Sequence, residues 1–206
     1  MIQKPKGTKD VLLDDCDKWN ETEWTAFSTF EKFGYKQIRI PTFEYTELFE
    51  RGVGGTTGVV QKEMYAFEDK GGRSITLRPE GTAAVARSFI ENKMYATSLP
   101  LTKLFYFGPM FRYEQPQAGR YREFRQFGVE VYGTGSPLLD CDVIISAYAI
   151  FTKLGIKNIK LKINSIGNMD SRKLYSEALK KYFSQFVDKM CKDCQRRINT
   201  NPMRIL

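Results

Sequence analysis

Between Phe105 and Gly133 the chain reads YFGPMFRYEQPQAGRYREFRQFGVEVYG from Tyr106 onward, two polar-studded strands joined by a short loop that carries Pro116, Gly119 and Arg120. Side chains on a strand alternate between its faces, so Phe124, Gln126, Gly128, Glu130 and Tyr132 share one face while Arg125, Phe127, Val129 and Val131 share the other. The second set is mostly apolar and reads as the buried side. The first places an amide and a carboxylate two positions on either side of Gly128, which leaves open floor above the backbone for a ligand. Arg112 and Glu114, also two apart, share a face of the preceding strand, so four hydrogen-bonding side chains converge on one concavity. The solvent-facing side of an ordinary antiparallel sheet alternates in the same way, and the pattern alone leaves both readings open.

The rest of the chain supplies the elements that would surround this unit. From Asp14 to Phe33, Trp19, Ala26, Phe27, Phe30 and Phe33 recur at helical spacing, with Asp14, Asp15 and Asp17 at the start and Gly34 after the end. That aromatic stripe suits core packing or a subunit interface. Tyr35 to Ile40 reads as a short strand stopped by Pro41, which has no N–H for a sheet ladder. A short helix is expected at 46–51. The glycine-rich run 52–58 fits neither a phosphate-binding P-loop nor a dinucleotide fingerprint and reads as a loop.

Met64 to Asp69 and Ser74 to Arg78 flank Lys70-Gly71-Gly72-Arg73 and predict a hairpin. The polar residues of Arg78-Pro79-Glu80-Gly81-Thr82 stand at a strand-to-helix junction, where Glu80 and Thr82 serve either to bind a ligand or to cap the helix 83–92. Further on, Pro137 opens a long apolar helix over 138–154, Lys157 to Ser165 alternates as a half-exposed strand, and Leu174, Ala178, Tyr182 and Phe186 stripe a helix over 169–186. The tail from Cys191 to Leu206 shows no clear periodicity. Hairpin-joined strands with helices set beside them indicate an α+β fold built on an antiparallel sheet.

Composition narrows the chemistry. No histidine occurs among the 206 residues, which excludes a histidine general base or a Ser-His-Asp triad within this chain. Four cysteines, of which Cys191 and Cys194 form a lone CxxC, lack the partners of a tetrahedral zinc site, and reduced structural thiols are the default expectation. No apolar run approaches the ~18–20 residues of a membrane span, and the N-terminus has no secretory apolar region, so a cytoplasmic location with no membrane association is expected. Residues 151–206 carry 13 Lys and Arg against 4 Asp and Glu, so the whole of the net charge of +8 resides there. Such a block attracts polyanions or simply forms a solvated helix face.

Taken together, Gly34-Tyr35 through Pro41, Phe111-Arg112-Tyr113-Glu114, the loop Gln115 to Tyr121 and the strand Arg122 to Gly133 resemble motifs 1 and 2 of the class II aminoacyl-tRNA synthetases. Arg78 to Thr82, Gln117 to Arg122, Gln126 to Glu130 and Asn164-Ser165-Ile166-Gly167 are similar to stretches particular to the histidyl members. The resemblance runs over all 206 residues. It implies residues 1–206 to be the N-terminal portion of a class II catalytic domain, an incomplete antiparallel sheet flanked by helices, without motif 3 or an anticodon-binding domain. A fragment of that kind is not expected to complete aminoacylation by itself.

The resemblance implies activation of histidine by ATP, in which the amino-acid carboxylate attacks the α-phosphate. Its nucleophile is already an anion and needs no general base, which suits a chain without histidine. Arg112 would bridge carboxylate and phosphate, Glu114 and Arg120 would hold the adenine and the γ-phosphate side, Phe124 would stack on adenine, and Mg2+ would neutralise pyrophosphate. Glu80 and Thr82 would take the α-amine of histidine, and Gln126 and Glu130 the amine or ring. Implied partners are tRNA-His, through the full-length enzyme, and a second copy docked through the helix Asp14 to Phe33 and motif 1 around Pro41. The alternative is the synthetase-like regulatory subunit of ATP phosphoribosyltransferase, which shares the fold; the loop with Arg112, Glu114 and Arg120 favours the ligase. An inactive module that only dimerises is a third reading.

Overall fold

In a computed structural model the protein is described over residues 1–51, 63–96, 101–165 and 167–206. Residues 1–159 and 160–206 form two compact units. The expected loop 52–58 lies wholly within residues 52–62, outside the described residues.

The first unit is organised on β5 (Thr102–Phe111) and β6 (Glu123–Tyr132), which pair antiparallel from Thr102↔Tyr132 to Phe111↔Glu123. β1 (Lys36–Gln37) joins β5 on the other side and runs parallel to it, with Lys36 opposite Leu104. The sheet is therefore mixed, and the expected strand 35–40 shrinks to two residues because only Lys36 and Gln37 find ladder partners there.

α1 (Asp14–Lys32) carries three aspartates in its first turn, where carboxylates offset the helix dipole, and buries Ala26, Thr29 and Phe30. Phe27 meets Phe105 edge-on at 5.2 Å, and Phe30 lies 5.4 Å from Phe105 and 5.9 Å from Phe127. Ile150 of α4 (Pro137–Lys153) completes that cluster. Each fully buried aromatic or aliphatic side chain contributes about 1.5–3 kcal/mol, so this layer fixes one face of the sheet.

The opposite face is covered too. Ala84 and Val85 of α3 (Thr82–Glu91) pack with Ile40, Leu104, Tyr106 and Met110, and Phe124 and Tyr132 lean against them. The face expected to be open is thus covered at both ends, with Gln126 and Glu130 between them. A second sheet, ordered β2-β4-β3, consists of β2 (Phe43–Tyr45), which sequence reading missed, and the expected hairpin β3 (Ala66–Glu68) and β4 (Ser74–Leu77). The Asp69 carboxylate accepts from the N–H groups of Gly71 and Arg73 at 2.8 and 3.0 Å and closes the turn. α2 (Thr46–Phe49) follows β2 directly.

The second unit holds α5 (Met169–Phe183), a 3-10 turn Ser184–Lys189, α6 (Lys192–Thr200) and a 3-10 turn Pro202–Arg204. Leu179, Phe183 and Ile198 form its core, with Met190, Met203 and Ile205 around them. The expected stripe through Leu174 and Tyr182 faces outward, at 68% and 56% exposure. α6 was missed because its turns carry single apolar residues among charges. The alternating segment 157–165 forms no strand among the described residues: no described strand pairs with its backbone, and Ile163 is 78% exposed.

Candidate active site

Two groups of side chains meet at the junction of β4, α3, β5 and β6. The first begins with Glu80, whose Oε2 accepts from the Thr82 N–H at 2.6 Å and whose Oε1 accepts from the Ala83 N–H at 2.9 Å. Glu80 thus caps α3 with both oxygens. A carboxylate accepts about four hydrogen bonds, so capping leaves room for a ligand donor as well, and the two sequence readings of Glu80 are compatible. The Thr82 hydroxyl is within hydrogen-bonding reach of both Glu130 and the Tyr106 phenol.

Glu130 is the residue whose electrostatics say most. Burial pushes its carboxyl above the usual range; the Thr82 hydrogen bond opposes that shift, and the Glu80 charge adds to it. The two carboxylates Glu80 and Glu130 are thus near enough for the charge of one to raise the other. Beside them the Gln126 side chain reaches the Tyr106 hydroxyl through Nε2 at 3.5 Å, while its Oε1 is buried with no hydrogen-bond partner. The Tyr132 hydroxyl is likewise buried and unpartnered. Burial first, then the Glu130 charge, pushes both tyrosine phenols up to about 12, so both are neutral donors at ordinary pH. Buried polar atoms cost about 1–3 kcal/mol each when left unpaired.

The floor over Gly128 is not open. Tyr106 stands opposite Gly128 in the β5–β6 register, and its ring lies over that residue and beneath Gly81. A Cβ at either glycine would come inside 3.0 Å of Tyr106. Sequence reading assigned the space to a ligand, but the cross-strand aromatic fills it. Pairing a large residue against a glycine was the available signal for Tyr106; Tyr132 lay on the correct face but carried no assigned role.

The second group gathers around Glu114. Arg120 reaches its carboxylate at 3.3 Å and Arg112 at 3.9 Å. Arg112 also donates through Nε to the Pro79 carbonyl at 2.8 Å, which places it one residue from Glu80 and ties the two groups into one site. Its guanidinium lies 5.1 Å from the Phe124 ring centre. The loop is anchored by Arg122, which stacks 3.9 Å over Tyr113, donates through Nε to the Glu114 carbonyl at 3.3 Å and through its backbone N–H to the Gly7 carbonyl at 2.7 Å. Arg120 itself remains largely exposed. Behind the site, buried Arg78 donates to the carbonyls of Pro109 at 2.8 Å, Ile40 at 2.7 Å and Pro41 at 3.1 Å. Burial draws its pKa down.

All eight residues singled out from sequence, Glu80, Thr82, Arg112, Glu114, Arg120, Phe124, Gln126 and Glu130, therefore fall within or directly against this one junction. Among the described residues no three or more of His, Cys, Asp and Glu stand together as a ready metal cage, and no helix is long and apolar enough to cross a membrane.

The mixed sheet between helices, with a carboxylate-amide cluster and an arginine-glutamate cluster on one edge, has the fold of the class II aminoacyl-tRNA synthetases. The profile of the histidyl-tRNA synthetase family matches residues 7–178. The histidine–tRNA ligase of Geobacillus kaustophilus is 55% identical over the whole chain, which covers 48% of that relative. The S. aureus apo histidyl-tRNA synthetase structure is 48% identical with a TM-score of 0.78, over the whole chain and 48% of that protein. A Bacillus halodurans structure described as an ATP phosphoribosyltransferase regulatory subunit/histidyl-tRNA synthetase shares the fold at 24% identity and a TM-score of 0.70, over 96% of this chain and 54% of that one. The chain belongs to the histidyl-tRNA synthetase family. It spans about half the length of the curated relatives it matches.

Proposed function

We propose that the chain contributes the histidine- and ATP-binding part of a histidine–tRNA ligase catalytic domain, with both units belonging to its N-terminal portion. The observation that carries this reading is the pair of carboxylates Glu80 and Glu130, near enough for the Glu80 charge to raise Glu130, beside the orphaned Gln126 Oε1 and Tyr132 hydroxyl. An α-ammonium offers the charge the carboxylates lack, and an imidazole ring offers an N–H to Gln126 or Glu130 and an acceptor to a tyrosine hydroxyl. A site built on such groups rejects ligands that leave them unpaired, by ~10⁴ or more.

Arg112 stands between the two clusters and is the group to bridge the amino-acid carboxylate and the α-phosphate as histidyl-adenylate forms and pyrophosphate leaves. Glu114 would accept from the adenine amino group, Phe124 would lie against the base, and exposed Arg120 would swing onto the phosphates. Magnesium would arrive on the nucleotide, with its remaining positions filled by water. In the whole enzyme the adenylate would be transferred to tRNA-His, in the cytoplasm. A homodimer through α1 and the segment to Pro41 is supported by the exposed Trp24, which stacks on Phe27 at 5.8 Å beside a cavity of about 370 Å³.

The regulatory-subunit reading predicts histidine binding without nucleotide binding; the preorganised Arg112–Glu114–Arg120 cluster speaks for the ligase. The deciding experiment grafts this chain in place of the matching half of the Geobacillus kaustophilus ligase and measures histidine-dependent ATP–pyrophosphate exchange. Exchange that is retained by the graft and lost in Glu130→Ala and Arg112→Ala supports the assignment. A graft that folds but exchanges no pyrophosphate, or variants with unchanged rates, overturns it.

A further inference from the structure

The pair Cys191 and Cys194 takes no part in the site above. Cys191 is the N-cap of α6, held in extended conformation at φ −66 and ψ 158, and Cys194 follows in the first turn. The backbone around them is tied down: the Gln195 side-chain amide donates to the carbonyls of Val187 at 2.9 Å and Met190 at 3.0 Å, and its N–H donates to the Cys191 carbonyl at 3.0 Å. Ile198, one turn on, is buried with Leu179 and Phe183 and anchors the helix. Both thiols are free; Cys191 is exposed and Cys194 partly so.

The Cys194 N–H first, then the Cys194 thiol, hold Cys191 below the usual thiol range, while Cys194 is pushed up, chiefly because it faces Cys191. That asymmetry divides the labour of an exchange reaction, since a thiolate attacks and a thiol waits. Residues three apart on a helix have Cβ atoms about 5–6 Å apart, and a disulfide asks for about 3.5–4.5 Å. Cys191, as the N-cap, stands outside the regular helix, so bringing the pair together asks for a change at one residue and not of the helix. A metal cage finds no third ligand there among the described residues.

We propose that Cys191 and Cys194 form a thiol–disulfide exchange site that takes low-molecular-weight disulfides, with Cys191 attacking and Cys194 resolving. Cys191 sulfur bonds to one sulfur of the small disulfide, whose S–S bond breaks and releases one thiolate. Cys194 then loses its proton and attacks the Cys191 sulfur, which breaks the mixed disulfide and releases the second thiolate. The two protons from the cysteines end on the two released thiols. The protein loses two electrons, and the small disulfide gains them.

The test equilibrates the chain with graded ratios of reduced and oxidised glutathione, quenches with acid, alkylates free thiols and maps the peptides by mass. The proposal expects an intramolecular Cys191–Cys194 bridge that dithiothreitol reverses, while Cys16 and Cys141 remain alkylated. Cys194→Ser should accumulate a glutathione adduct on Cys191, and Cys191→Ser should react several-fold more slowly than the parent chain. Alkylation of Cys191 should also outpace that of exposed Cys141 at neutral pH. Four reduced thiols under oxidising ratios, bridges between chains, or a pair shielded from alkylation only by added zinc would each overturn it.

Discussion

The Tyr106 ring passes over Gly128, its direct cross-strand partner, so closely that no Cβ can stand between them. The same ring is pressed by Gly81 from above. Gly128→Ala must displace Tyr106, and overpacking of this kind costs about 1–3 kcal/mol. Urea denaturation should register that loss, and histidine titration should weaken by more than tenfold, because Gln126 and Glu130 flank the same residue. Tyr106→Phe keeps the shape and should retain stability within about 1.5 kcal/mol. Unaltered stability in the Gly128→Ala variant would show that the ring has slack.

Glu130 is an acid whose folded pKa is raised by burial. Its folded form holds the proton more tightly than the unfolded chain does, so its contribution to stability is fully present below the ordinary carboxyl value and is lost as pH rises through the folded value. Glu130→Gln should therefore stabilise the free chain at neutral pH, by at most about 1 kcal/mol or about 2–4 °C in Tm, and flatten the fall of stability between acid and neutral pH. The same variant should bind histidine poorly. Calorimetric melting over pH 4–7, with and without histidine, separates the two effects.

Arg78 donates to three carbonyls from two segments while buried. Arg78→Met leaves those acceptors orphaned and should destabilise by about 2–4 kcal/mol. Arg78→Lys should recover less than half of this, because an ammonium on a flexible stem cannot match the planar fork. Chemical denaturation of the three proteins side by side provides the measurement.

Arg120 makes an ion pair with Glu114 at 3.3 Å while 65% exposed. Pairs of this kind contribute about 0–1 kcal/mol, so Arg120→Ala should leave the melting temperature nearly unchanged. On the proposed role its ATP affinity should fall about tenfold, with histidine affinity intact. A parallel loss of both ligands would indicate that the loop, not the charge, had been damaged.

The pairing of β5 with β6, and the faces of β6, were legible because a long uninterrupted alternation leaves little freedom of register. The helix boundaries near 14–32 and 137–153 were legible from acidic first turns and a proline entry. What escaped had non-local causes. β2 exists because β4 offers it a ladder, and residues 157–165 are irregular because no described strand offers them one. The place of Tyr106 depended on which residue β5 sets opposite Gly128, a fact of pairing that neither strand carries alone. Within the site, the residue types and their spacing were visible. That Glu80 caps α3 with both oxygens emerged only from its distances to two amide N–H groups.

Arg78, which follows β4 and lies two residues before Glu80, joins the backbone at Ile40 and Pro41 to that of Pro109 in β5. A planar guanidinium bonded at both ends behaves as a rigid strut. A displacement of the Ile40–Pro41 backbone acts directly on the Arg78 guanidinium, two residues from the carboxylate that caps α3. The segment after β1 and the start of α3 are thereby coupled through one buried side chain.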